Sequence, residues 1–143
     1  MTLLSMCCTM VATTSLLTQG PAPAANQKDP IERLLDAIAQ VESRRDPNAV
    51  GDHGRAVGVY QIHRRYWQDG TRILGRDWPY ADAADPAKAR QVVRAYLRHY
   101  GKDRSLIEMA RIHNGGPRGD RKSSTEDYAR KIAAILGSPP QSS

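Results

Sequence analysis

Cysteine is scarce in this 143-residue sequence, and the two that it has, Cys7 and Cys8, are neighbours close to the amino terminus. Both lie within residues 1–24, a stretch that also lacks any charged residue. Once that stretch is removed, the chain has no cysteine and cannot be a disulfide-stabilised scaffold. The sequence therefore predicts a domain of modest size whose core holds without covalent cross-links.

The uncharged stretch has the features of a secretory signal. Its apolar centre, LLSMCCTMVATTSLL, is followed by the small residues APA at 22–24, which suit a cleavage site. The centre is short and rich in Thr and Ser, so we expect no stable membrane insertion. We predict a signal peptide over 1–24, a linker over 25–30, a folded domain over 31–137 and a tail over 138–143, in a secreted or periplasmic protein. A leader without a targeting role is the alternative.

Motifs for nucleic-acid binding are also missing, including zinc-finger, homeodomain and single-strand-binding patterns. The net charge of +6 falls entirely outside the uncharged leader. A basic secreted domain has affinity for polyanions, and the carboxylates and phosphates of bacterial walls qualify. Because the nucleic-acid-binding motifs are missing, we expect no nucleic-acid partner. His53, His63 and His99 show no metal-ligand spacing, so we also expect no metal, and we expect no other cofactor.

Apolar residues recur at helical spacing in four segments. The first begins at Asp29-Pro30, an N-cap followed by proline, and runs to about Ser43. The second begins at Asp85-Pro86 and ends at Gly101. The third covers 106–113, and the fourth has Ser124 as its N-cap and ends at Gly137.

A short strand is predicted over 57–62, where VGVYQI follows a glycine-punctuated segment. We interpret it as half of a β-hairpin. The chain has no internal repeats. The predicted class is α+β, mainly helical with a small β-hairpin, in one domain.

Glu42 lies seven residues after Leu35, close to two full helical turns, so the two side chains point in similar directions. An acid on the apolar side of a helix has its ionised form disfavoured by burial, which suits a general acid at neutral pH. The alternative is a surface glutamate paired with Arg44 or Arg45.

Asp52 follows ten residues later, in a glycine-rich turn that leaves room for a ligand. A second carboxylate in a wetter environment could stay ionised and act as base or nucleophile. The alternative is that Asp52 only forms the turn.

Several motifs together resemble those of the invertebrate-type lysozymes, in the same order and at similar spacing. The match covers roughly 37–132, and its motifs are VES, GVYQIHRRYWQD, AYLRHYG, ARIHNGGPRG and TEDYARKI. The wider lysozyme-like superfamily, with the goose-type lysozymes and the lytic transglycosylases, shares some of these features. The resemblance implies a lysozyme-like α+β fold and cleavage of the β-1,4 bond between N-acetylmuramic acid and N-acetylglucosamine in peptidoglycan.

Under this resemblance, Glu42 falls on the family's catalytic acid and Asp52 near its second catalytic carboxylate. The family is rich in disulfides, whereas Ala49 and Asp120 stand about where it would have cysteines. The chain thus resembles a disulfide-free relative. We expect a monomer that acts on peptidoglycan or chitooligosaccharides.

A sugar-binding cleft needs aromatic faces and convergent hydrogen-bonding groups. Strand alternation leaves one of two neighbours facing the cleft, and the resemblance favours Gln61, with the Tyr60 backbone as a further sugar contact. The alternative for Tyr60 is strand core. The HNGGP turn, and the tyrosine that reaches toward the acid in the superfamily, complete the candidate substrate-binding set: His113, Asn114, Gly115, Gly116 and Tyr128. A helix cap with a satisfied histidine is the alternative for the turn, and core packing is the alternative for the tyrosine.

Three functions fit these observations. The first is a muramidase that hydrolyses with both carboxylates. The second is a lytic transglycosylase that uses Glu42 alone, and the third is a wall-binding module without catalysis. We favour hydrolysis, because Asp52 is present and His63 stands where goose-type enzymes keep another acid.

Overall fold

The computed structural model describes residues 28–137, so the predicted signal peptide, the first half of the predicted linker and the predicted tail lie outside the described residues. Within this range the chain forms five α-helices and three short β-strands, in agreement with the predicted α+β class. The helices are α1 Pro30–Ser43, α2 Arg64–Leu74, α3 Pro86–Tyr100, α4 Leu106–Gly115 and α5 Glu126–Gly137. The strands are β1 Val50–Gly51, β2 Ala56–Val57 and β3 Ile62–His63.

The two Asp-Pro signals begin helices as predicted. The Asp29 carboxylate accepts a hydrogen bond from the backbone N–H of Ile31, and Pro30 occupies the first position of α1. Asp85 caps α3 in the same way, by accepting from the N–H groups of Ala87 and Lys88. These bonds satisfy backbone donors that have no partner inside the helix.

The other two predicted helices, α4 and α5, differ from the prediction at one boundary each. Helix α4 extends to Gly115 and begins with a capping box, in which Ser105 and Glu108 each accept from the other's backbone N–H. Helix α5 begins at Glu126, so the predicted N-cap at Ser124 is wrong. Ser124 lies in a 3₁₀ turn over Ser123–Thr125 that leads into the helix.

The predicted strand over 57–62 is also wrong, because its middle is a turn. The sheet is antiparallel in the order β1-β2-β3, with Val57 directly opposite Ile62. Between them, Gly58 and Gln61 have φ angles of 74° and 47°, which an extended strand does not allow. The β element is therefore two tight hairpins rather than one longer strand.

The core forms where α1 packs against α3, α4 and α5, with α2 packed on α3. Leu34, Leu35 and Ile38 of α1 are fully buried. Trp67 of α2 is buried too, and its indole N–H donates to the carbonyl of Trp78. Within residues 28–137 no helix is both long enough and apolar enough to span a membrane.

Ion pairs connect helices in this cysteine-free domain. Arg90 of α3 contacts Glu32 at 2.7 Å and Asp36 at 2.8 Å, both on α1. Arg94 makes a second contact to Glu32 at 2.6 Å. The hydrogen bonds and charges of Arg94 and Arg90 lower the pKa of Glu32 from 4.5 to about 2.

This depressed pKa predicts a pH-dependent part of the stability. The contribution of Glu32 is present above its unfolded pKa of 4.5 and is lost as the pH falls towards 2. We expect Glu32→Gln to lower the free energy of unfolding at neutral pH by about 1–2 kcal/mol, after allowance for partial exposure. Denaturant titrations at several pH values should show this difference shrinking in acid. A difference that stays constant between neutral pH and pH 2 would contradict the assignment.

Gly58 is expected to tolerate no side chain. Its φ is +74°, and an added Cβ would lie 2.5 Å from the carbonyl oxygen of Ala83. We expect the backbone strain in Gly58→Ala to lower the free energy of unfolding by about 1–3 kcal/mol. The clash with Ala83 should lower it further. The matched control is Gly54→Ala, where φ is +86° but no described atom lies within 4 Å of the added Cβ. Equal losses in the two variants would show that the contact with Ala83 has no effect.

Candidate active site

An open cleft of about 660 Å³ lies between the β element and helices α2 and α4. Glu42 and Asp52 both line it, so the structure brings the two predicted carboxylates to one cavity. Other residues of the lining come from the sequence-predicted set: Gln61, His113, Asn114 and Gly116.

Glu42 is positioned by the last turn of α1, where its side chain is 19% exposed. Its neighbour Ser43 donates a hydrogen bond of 2.9 Å to the carbonyl of Val59, which ties the end of α1 to the β element. Within residues 28–137, Oε1 of Glu42 lies 3.5 Å from Nε2 of His113, and Glu42 forms no ion pair with Arg44 or Arg45. The carboxyl is thus largely shielded from water, yet it belongs to the cleft lining.

Tyr128 lies behind Glu42 and outside the cleft lining. Its hydroxyl is buried and makes no hydrogen bond of normal geometry to any described residue. Burial raises the pKa of Tyr128 far above its usual range, and the nearby charge of Glu42 raises it further. The phenol therefore stays protonated and adjoins Glu42, but it does not belong to the cleft lining.

Asp52 is in the wetter environment that the sequence predicts, with its side chain 39% exposed. It has a φ of 46° at the start of a 3₁₀ turn, Asp52–Gly54. Arg55 contacts one carboxylate oxygen at 2.8 Å, while His63 lies 3.6 Å from the other. Three groups that can be cationic therefore surround this carboxylate, since the His53 ring is also 3.9 Å away.

Tyr60 and Gln61 both lie in the turn, so the strand alternation used to orient them does not apply. The Tyr60 side chain is 2% exposed and packs in the core, where its hydroxyl accepts from Arg90. Gln61 reaches the cleft, but its amide also donates to the carbonyls of Ala49 and Gly58. Gln61 thus fixes the loop that carries Asp52.

Gly115 is likewise outside the lining, although Gly116 and Pro117 belong to it. The Gly115 carbonyl accepts from the Lys122 ammonium, and an added Cβ would meet the Thr125 methyl at 2.7 Å. This glycine allows the end of α4 to pack closely against the 3₁₀ turn before α5.

Sequence reasoning missed a group of cleft residues on α2 and α3. Tyr66 stacks on Tyr96, with ring centroids 3.7 Å apart, and both line the cleft. Asp69 adds a third carboxylate, which accepts from Tyr100 and pairs with Arg72. Tyr66 and Asp69 are three residues apart on one helix, a spacing that would have placed them on one face had α2 been recognised.

The arrangement suits acid–base chemistry on a polar chain-like ligand. It combines a shielded carboxyl, a wetter carboxylate and stacked aromatic rings in one open cleft. Within residues 28–137 no group of three or more His, Cys, Asp or Glu side chains is arranged to hold a metal ion.

Comparison with known proteins finds relatives that belong to one family. A family model described as Destabilase matches residues 32–135. Lysozyme 1 of Crassostrea virginica is 39% identical over 111 residues, which cover 72% of this chain and 58% of the relative's length.

Solved structures agree with the sequence relatives. Meretrix lusoria lysozyme, solved in complex with Aeromonas hydrophila PliI, is 35% identical with a TM-score of 0.62. Tapes japonica lysozyme is 29% identical with a TM-score of 0.61. Each match covers 74% of this chain and 90% of the other. The chain therefore belongs to the Destabilase family of invertebrate-type lysozymes, as its motifs predict.

Proposed function

We propose that this protein is a secreted muramidase that hydrolyses the β-1,4 bond between N-acetylmuramic acid and N-acetylglucosamine in peptidoglycan. The observation that carries the proposal is the meeting of Glu42 and Asp52 in one open cleft, in a chain that belongs to a lysozyme family. The relatives' names, Lysozyme and Lysozyme 1, support the same activity.

Glu42 is the general acid in this proposal. Its side chain is 19% exposed, belongs to the cleft lining and has His113 and the protonated Tyr128 phenol beside it, so a carboxylic acid here is placed to give a proton to the leaving sugar oxygen.

Asp52 is the second carboxylate, which either activates water or attacks the sugar directly. Its side chain is 39% exposed, and Arg55 and His63 lie beside its two carboxylate oxygens at 2.8 Å and 3.6 Å. The cleft is open at this carboxylate, so water and sugar can both reach it.

The substrate is a polysaccharide chain, either peptidoglycan or a chitooligosaccharide, bound along the cleft by a monomer. The partly exposed ring of Tyr66, backed by the buried ring of Tyr96, provides an aromatic surface in the cleft lining, and Gln61 and Asn114 supply polar groups in the same lining. The net charge of +6 supports binding to anionic walls.

The proposal is tested with the purified protein starting after Ala24, incubated with peptidoglycan sacculi. New reducing sugar ends should accumulate with time and scale with protein concentration. Binding to sacculi without any soluble product would instead identify a wall-binding module and contradict the proposal.

A further inference from the structure

Three side chains from three helices form a line that ends at Glu42. His113 of α4 is 5% exposed at its side chain, and its Nε2 atom lies 3.5 Å from Oε1 of Glu42. Its other ring nitrogen, Nδ1, lies 3.1 Å from the hydroxyl oxygen of Tyr66 on α2. Both nitrogens of this imidazole therefore face protein groups.

The direction of these contacts follows from the chemistry of the partners. Burial raises the pKa of Tyr66 well above its usual value, and the charges of Tyr96 and Glu42 act in the same direction. Its hydroxyl therefore keeps its proton and can donate it to Nδ1. A neutral imidazole carries one N–H and one acceptor nitrogen, so an Nδ1 that accepts leaves the hydrogen on Nε2, pointing at Glu42.

We propose that Tyr66 is a positioning residue that acts through His113. By donating to Nδ1 it fixes the tautomer with hydrogen on Nε2, and that N–H is held ready to donate to Glu42 Oε1. The inference rests on the proposed role of Glu42 as general acid. It gives His113 a task different from the sugar binding that the HNGGP motif predicts.

The hydrogen bond from His113 to Glu42 becomes stronger during the reaction, so it affects the rate and not only the fold. As Glu42 gives its proton to the leaving oxygen, its carboxylate becomes charged, and a hydrogen bond to a charged acceptor is about twice as strong as a neutral one. The interaction thus grows towards the transition state and raises kcat. The 3.5 Å separation in the free protein is consistent with a contact that shortens in the substrate complex.

A phenylalanine at position 66 isolates the hydroxyl from the rest of the side chain. The ring of Tyr66 stacks on Tyr96 at 3.7 Å, and phenylalanine preserves that contact. The matched control is Tyr80→Phe, which removes a phenol that donates to the carbonyls of Arg55 and Ile62 and lies outside the cleft lining. Both variants lose one hydroxyl, but only one of those hydroxyls contacts His113.

The first measurement is the ¹⁵N NMR spectrum of the histidine rings, with the His113 signals identified from their loss in His113→Gln. We expect hydrogen on Nε2 of His113 in the wild type and in Tyr80→Phe, and a mixture of tautomers or hydrogen on Nδ1 in Tyr66→Phe. An unchanged tautomer in Tyr66→Phe would overturn the inference. This measurement does not depend on any enzymatic activity.

The second measurement is a double-mutant cycle on peptidoglycan cleavage. We expect Tyr66→Phe to lower kcat about tenfold, or about 1.4 kcal/mol, with KM unchanged. In a His113→Gln background, the same change should have little further effect, because its route to Glu42 is gone. Additive losses, or a changed tautomer with normal kcat, would overturn the inference alone. A wild type without glycosidase activity would overturn the proposed function together with the catalytic part of the inference.

Discussion

Replacement of Glu42 by glutamine is expected to abolish cleavage of peptidoglycan while the fold stays intact. Glutamine keeps the shape of the side chain beside His113 but has no proton to give to the leaving oxygen. General acid catalysis contributes about 10²–10⁴-fold, so turnover should fall by at least that lower figure. The measurement is the rate of release of reducing ends, with circular dichroism as the check on folding.

Glu126→Gln is the matched control for this variant. Glu126 is an exposed glutamate at the start of α5 and does not line the cleft, so its variant should keep wild-type turnover. A Glu42→Gln protein that folds normally and keeps more than about a tenth of the wild-type rate would contradict the assignment of Glu42 as general acid.

Replacement of Asp52 by asparagine should lower turnover by about 10²-fold or more while substrate binding persists. Asparagine can still accept the hydrogen bond from Arg55, so the turn should be retained. It can neither take a proton from water nor attack the sugar, and hydrolysis by two carboxylates requires one of these steps. Kinetics should therefore show a loss in kcat with little change in KM.

The same variant separates hydrolysis from transglycosylation. In a transglycosylase, Glu42 acts alone and the sugar's own hydroxyl replaces water, so Asp52→Asn should have a mild effect. Asp77→Asn, a change at an exposed aspartate outside the lining, is the control for loss of a carboxylate. Near-normal turnover in Asp52→Asn would favour the transglycosylase and overturn our choice.

Local signals in the sequence predicted four of the five helices in residues 28–137, but not α2. Asp29-Pro30 and Asp85-Pro86 begin helices because capping needs only the aspartate and the next few backbone N–H groups. The position of Glu42 at the end of α1 also follows from local spacing along one helix.

The β element was less predictable, because its shape depends on neighbours that are remote in sequence. VGVYQI has strand-forming residues, yet Gly58 adopts a φ of 74° where it packs against Ala83. Tyr60 is then directed into the core towards Arg90 of α3. Nothing within the six residues themselves indicates either contact.

The inner part of the site depends on tertiary contacts for the same reason. His113 was recognised from its motif, but its contacts with Glu42 and Tyr66 join α4 to α1 and to α2.

Asp120 also depends on a tertiary contact, at a position where the resemblance implies a cysteine. Its side chain is 8% exposed and pairs with Arg104 at 3.3 Å, a non-covalent contact that the sequence alone did not indicate.

Product analysis in ¹⁸O-labelled water tests the central claim, hydrolysis in the cleft shared by Glu42 and Asp52, most directly. Purified peptidoglycan is digested with the wild-type protein, and the masses of the soluble fragments are measured by mass spectrometry. We predict fragments that end in reducing muramic acid and carry one ¹⁸O atom from water at that end. Fragments that end in anhydro-muramic acid without the label would contradict hydrolysis, and would show that the sugar's own hydroxyl had displaced the leaving group.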